Sequence, residues 1–156
     1  MAVHFYYVDI DVSLRHKKLL KEFITQQFFK FRKKKLSLSV IFCSDDYLLR
    51  INQHFLGHDF YTDVITFPLE EKPTRVTAEI YISVERVWDN SRKPDNDFYS
   101  ELLRVLFHGL IHLCGRNDKT KQQALAMREE EDKWLADYAT FIKKTTSTKE
   151  RGCSKN

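Results

Sequence analysis

The run Phe107-His108-Gly109-Leu110-Ile111-His112-Leu113-Cys114-Gly115 constrains this chain more than any other stretch: it sets two imidazoles four residues apart, then stops the helix that carries them. Leu102, Leu103, Val105, Leu106, Leu110 and Leu113 recur with helical spacing in the segment that opens at Phe98, and Gly115 stands where a left-handed residue ends such a helix. Residues i and i+4 share a helix face, so both rings can grip one metal ion. Asp118, in the turn beyond Gly115, offers a carboxylate oxygen from the same local segment. The reading is a metal clamp of His108, His112 and Asp118 on one helix and its following loop. Zinc accepts this donor set, and two imidazoles with one carboxylate also suit other divalent transition metals. In zinc proteases a Glu follows the first His as general base; here that position is Gly109, and the protease role is vacant.

Two further stretches accompany the helix. One is Asn52-x-x-Phe55-x-Gly57-x-Asp59-x-x-Thr62-Asp63-Val64-Ile65-Thr66-Phe67-Pro68; the other is Ala78-Glu79-Ile80-Tyr81-Ile82-Ser83. With the His-Gly-x-x-His-Leu-x-Gly string they resemble, in order and spacing, three signatures of the YbeY family, single-strand-specific metal-dependent endoribonucleases of ribosomal RNA maturation. The resemblance covers roughly residues 36–135. It implies one zinc ion per chain, hydrolysis of phosphodiester bonds by metal-activated water, ribosomal RNA and the small ribosomal subunit or its assembly factors as partners, and a cytoplasmic location. A second reading, of another class, is a ribosome-assembly RNA-binding factor whose metal is purely structural.

The chain departs from the family pattern twice. Asp118 aligns with a third His, which makes the clamp harder and more negative, and Leu56 aligns with a position that commonly carries Arg. Arg116 or Lys119, beside the metal loop, then takes the phosphate role. Glu79, on a strand that the resemblance puts near the site, and Asp63 are the carboxylates available either as general base or as partners that orient a ligand ring. Cys114 is read as a core thiol, because two positions beyond His112 it points away from the clamp.

Period and punctuation give an α+β fold. Strands are expected over His4–Val12, Leu36–Cys43, Asp63–Phe67 and Val76–Ile82, the last two joined across Pro68–Arg75. Helices are expected from Ser13 to about Lys33, from a Ser44 cap through Asp45–Phe55 to a stop at Gly57, from Ser83 to Trp88, over the metal segment, and from a Thr120–Gln123 capping box to about Ile142. The last of these should pack Leu125, Met127, Trp134, Leu135 and Tyr138. The resemblance implies a mixed, mostly four-stranded sheet covered by about five helices. At 156 residues the chain suits one domain, residues 1–142, followed by a basic tail, 143–156, whose composition reads as disordered.

Three cysteines at unrelated spacings imply no disulfide framework, and neither a signal peptide nor a membrane span is expected. The net charge of +4 is unevenly spread: Lys30, Arg32, Lys33, Lys34 and Lys35 end the first helix, whose apolar stripe is Leu20, Phe23, Ile24, Phe28 and Phe31. Such a cluster either complements the helix dipole as a solvated end or meets RNA phosphates.

Overall fold

The structure, a computed structural model, describes residues 3–153, with side chains as far as residue 148. Its elements are β1 (Val3–Tyr7), α1 (Lys17–Arg32), β2 (Lys35–Cys43), α2 (Asp45–Ile51, continued by a π-helical turn over Asn52–Leu56), β3 (Val64–Glu71), β4 (Arg75–Ser83), α3 (Val84–Ser91), α4 (Phe98–Leu113) and α5 (Lys121–Cys153). The strands form one mixed sheet in the order β1-β2-β4-β3, parallel except for the β3–β4 pair. This is the α+β arrangement of four strands and five helices that the sequence suggests.

Strand alternation decides what faces the site. Phe5, Val40, Ile80 and Thr66 stand in register across all four strands. With Leu36, Leu38, Val76, Ala78 and Ile82 this side forms the main core against α1, α4 and α5. The neighbouring residues point the other way, where Cys43, Ile65, Phe67 and Tyr81 meet Leu48 and Tyr47 of α2. Helix α4 lies in the middle of the main core. Ten of its 16 residues are buried, and each large apolar side chain so removed from water contributes about 1.5–3 kcal/mol.

Gly109 is where α4 comes closest to the sheet. A Cβ there would lie 3.0 Å from Thr66 Oγ1 and 3.1 Å from Ile80 Cδ1. The close approach explains the Gly between the two imidazoles: it sets α4 down on β3 and β4.

Several element boundaries differ from expectation. Strand β1 ends at Tyr7 rather than Val12, because Asp9 turns at φ 56 and its carboxylate accepts from the Ser44 N–H and hydroxyl at 2.9 and 2.6 Å. Helix α1 begins after a left-handed His16 with no side-chain cap, so Ser13 does not start it. Strands β3 and β4 extend past Pro68 to a tighter turn; Pro68 is tolerated because β3 is an edge strand with a bulge between Pro68 and Glu70. Leu125 is 67 % exposed rather than packed, whereas Met127, Trp134 and Tyr138 are buried as expected.

The end of α5 also differs. The helix does not stop near Ile142 but runs to Cys153, through the segment expected to be disordered. Phe141 and Ile142 pack against the core, and propagation from a formed helix costs little. The hydroxyls of Thr145, Thr146 and Thr148 donate to carbonyls four residues back. Residues 154–156 of that tail lie outside the described residues. Among the described residues no helix is long and apolar enough to cross a membrane.

Candidate metal centre

His108 and His112 project from the last turns of α4 with their Nε2 atoms 3.0 Å apart. Asp118 Oδ2 lies 3.4 Å from the first and 3.5 Å from the second. Metal–ligand bonds of about 2.0–2.1 Å in tetrahedral geometry place ligand atoms about 3.3–3.4 Å from one another; the three donors stand at the corners of such a face. The loop that brings Asp118 there is built by the helix end. Gly115 at φ 96 lets Arg116 N–H return to Ile111 O (3.3 Å) and Gly115 N–H to His112 O (2.9 Å). Thr120 and Gln123 form the expected capping box at the start of α5, each side chain accepting the other's backbone N–H at 3.1–3.2 Å.

The outer ring nitrogens settle the tautomers. His112 Nδ1 is 2.9 Å from Arg116 O, a carbonyl that can only accept, so Nδ1 carries the proton. His108 Nδ1 is 2.7 Å from Glu131 Oε2. With both rings neutral, the Nε2 lone pairs face each other across 3.0 Å, an arrangement relieved either by the Nε2 proton of a charged His108 or by a metal ion held between the rings and the Asp118 oxygen. The donor set fits a metal ion, and His108, His112 and Asp118 could hold one.

Glu131, 6 % exposed, is the residue that sequence reasoning missed. Its Oε1 accepts from Arg104 Nη1 at 3.0 Å while Oε2 takes His108; Arg104 Nη2 donates to Asp132 at 2.6 Å. Burial alone would lower the His108 pKa, but the hydrogen bond and charge of Glu131, helped by Asp118 and Asp63, raise it instead. Burial likewise pushes Glu131 up, yet His108 and Arg104 outweigh it and hold that carboxylate below its ordinary range. A signal was present: Glu131 falls four residues after Met127 and three before Trp134, a charge on the buried stripe of α5.

The clamp opens into a cleft of about 1080 Å³ between α4 and the start of α5 on one side and β3 with the 52–63 segment on the other. Asp63 lines it, with Asn90 Nδ2 donating to its Oδ2 at 3.2 Å. Its pKa is raised by burial, against the pull of His108. Glu79 is not in the cleft. It belongs to the far face of the sheet, where it accepts from Tyr81 Oη at 2.6 Å, because its neighbours Ala78 and Ile80 are the ones that face α4.

Of the expected cations, Arg116 contributes its carbonyl rather than its guanidinium, and neither it nor Lys119 lines the cleft. Arg32, Arg104 and Arg128 do. Arg32 donates to Leu113 O at 2.6 Å, closing the end of α4, and pairs with Glu71; Lys34 lies 3.7 Å from the same carboxylate. Lys30, Lys33 and Lys35 are exposed to solvent. Cys114 is half-buried, and its thiol is pushed up to about 11 by burial, the behaviour of a packed thiol rather than a ligand.

Fold and site together define an α+β protein with a His–His–carboxylate group able to hold a metal ion at the end of its central helix, beside an edge strand and open to a cleft. Comparison with known proteins narrows the class. The family model described as Endoribonuclease YbeY matches residues 5–139, and the chain belongs to that family. Proteins named Endoribonuclease YbeY from Cytophaga hutchinsonii and Parabacteroides distasonis are similar at 40 % and 37 % identity, covering 86 % and 87 % of this chain and 94 % and 95 % of theirs. The solution structure of a Thermotoga maritima protein is similar with a TM-score of 0.59 at 28 % identity, covering 94 % of this chain and 95 % of that one.

Proposed function

We propose that this chain is a metal-dependent, single-strand-specific endoribonuclease of ribosomal RNA processing, with His108, His112 and Asp118 as the metal ligands. The observation that carries the reading is the convergence of two Nε2 lone pairs and one carboxylate oxygen at the wall of an open cleft. A structural metal site is closed by protein on all sides; here the His108, His112 and Asp118 side chains keep 22 %, 28 % and 39 % of their surface exposed, which favours a reactive site over the purely structural one. When bound, a divalent ion supplies Lewis acidity toward a phosphoryl oxygen and activates water. Zinc is the first candidate, since imidazole and carboxylate both suit it.

The chain's own groups divide the remaining work. Glu131 holds His108 in the ligating tautomer, and the Arg116 carbonyl does the same for His112. Asp63, raised by burial and within the electrostatic reach of His108, is the carboxylate placed to take a proton. Arg128, on the exposed start of α5, is the cleft cation available to an RNA phosphate, standing in for the cation absent at Leu56. The functional unit is residues 1–142, and the basic segment 143–156 together with Lys30, Lys33 and Lys35 adds non-specific attraction to RNA. The small ribosomal subunit or its assembly factors are the proposed partners, in the cytoplasm.

The test is cleavage of single-stranded RNA by metal-loaded protein beside His108→Ala. Cleavage lost with the imidazole supports the assignment; equal cleavage by both refutes it.

A further inference from the structure

Resting on the ribonuclease reading, a second element of substrate recognition lies in the 57–62 loop. His58 and Phe60 stack with ring centroids 5.1 Å apart and planes 20° from parallel, and both line the cleft that holds His108 and His112. Phe60 is 55 % exposed and belongs to neither apolar cluster of the fold. An aromatic ring left in water, already paired on one side, offers its other face to a planar partner.

The loop beneath the rings is fixed. Asn52, 1 % exposed, donates through Nδ2 to Phe60 O at 2.8 Å, and its own carbonyl accepts the His58 N–H at 3.2 Å. One buried side chain and its backbone thus clamp both ring-bearing residues. Gly57 makes the turn that leads into them at φ 66, directly after the π-helical turn of residues 52–56. Beyond satisfying the buried Asn52, these hydrogen bonds fix the ring positions before a ligand arrives and so lower the cost of binding.

We propose that the His58–Phe60 pair is a base-stacking subsite, on which an unpaired nucleobase rests while the adjoining phosphate reaches the metal clamp. The ribonuclease reading and one exposed cation select this occupant: Arg32 and Arg104 are paired with Glu71, Glu131 and Asp132, but the exposed Arg128 lines the same cleft, and an aromatic platform with an arginine in the same cleft matches a strand of alternating phosphates and π-faces. A duplex keeps its bases stacked on one another and offers no such face, so the subsite also accounts for single-strand selectivity. It supplies affinity without a charge, on the segment where Leu56 takes the place of a cation.

The experiment measures binding of metal-loaded protein to a short fluorescein-labelled oligoadenylate at several salt concentrations, with cleavage followed in parallel. Phe60→Ala and Phe60→Leu should weaken binding by roughly 5- to 150-fold, the loss of one stacked base. Phe60→Tyr and Phe60→Trp should retain it, and metal content should be the same in all. Stacking is uncharged, so the log–log salt slope should stay parallel to wild type, whereas Arg128→Ala should flatten it. Wild-type affinity in Phe60→Leu, or a flattened slope in Phe60→Ala, would overturn the subsite while leaving the ribonuclease standing. Wild-type protein that neither binds nor cleaves the strand would overturn the ribonuclease reading and the subsite with it.

Discussion

Glu131→Gln separates a carboxylate that orients a ligand from one that only fills space. The wild-type side chain has two oxygens facing two donors, His108 Nδ1 at 2.7 Å and Arg104 Nη1 at 3.0 Å. Glutamine has the same shape but a single acceptor; its amide nitrogen must point at one of the two donors. If it faces His108, the ring gives up the Nδ1–H tautomer and its Nε2 lone pair is no longer secured toward the metal. If it faces Arg104, a guanidinium only 16 % exposed loses half of its carboxylate pairing. Loss of such a ligand-orienting partner costs about 10–100-fold in metal affinity, or about 1.4–2.7 kcal/mol. The buried donor left unmatched costs about 1–3 kcal/mol of stability.

A chelator-competition titration reads the first quantity and denaturant unfolding of the metal-free protein the second. The pH dependence is diagnostic. Glu131 raises the His108 pKa, so protons compete with metal at higher pH in the wild type than in the variant. The affinity gap should therefore be widest at alkaline pH and narrow as pH falls. Equal affinity at all pH values, with the His108 ring still protonated at Nδ1 by nitrogen-resolved NMR, would refute the argument.

Three further outcomes are expected. Asp118→His should restore an all-imidazole clamp and move the affinity ranking toward zinc over manganese; an unchanged ranking would show that residue 118 does not reach the ion. Neutralising Lys30, Lys33 and Lys35 together should lower the log–log salt slope of single-stranded RNA binding by about 0.7 for each phosphate no longer neutralised, without change in metal content. Metal-free protein should show two opposed pH limits in denaturant titrations. His108, raised above its ordinary 6.5, adds stability that is complete below 6.5 and disappears as pH climbs through the raised value; Glu131, held below 4.5, adds stability present above 4.5 and lost as pH drops through the lowered value. Metal requires the neutral ring, so loading should remove the alkaline limit.

The convergence of His108, His112 and Asp118 was legible because it is local: two imidazoles one turn apart, a glycine stop and a carboxylate in the next turn come together without any long-range contact. Caps with strong side-chain chemistry were legible for the same reason, as at Ser44, Ser83 and Thr120. What failed depended on tertiary placement. Alternation in β4 shows that Glu79 and Ile80 face opposite ways, but only the packing of Gly109 on Ile80 reveals which side belongs to α4. Glu131 sits 23 residues from the ring it orients, among the acids Glu129, Glu130 and Asp132; only its place on the buried stripe distinguishes it. Arg32 reads in sequence as one more member of a surface cluster, because nothing local reveals that it closes the end of α4.

The capping box between Thr120 and Gln123 has a consequence for the order in which the molecule assembles. All the groups around the clamp, from Arg104 to Glu131, lie on one helical hairpin: His108 and His112 share a turn of α4, and Asp118 follows across a loop so short that closing it costs little chain entropy. The opposite wall, Asn52 to Pro68, meets the hairpin through contacts distant in sequence, such as Thr66 against Gly109, the slower class of contact. On the proposed metal reading, ion capture and cleft formation are thus separable events: the helical hairpin holds all three proposed ligands before the edge strand arrives, and the cleft for substrate exists only after the second event.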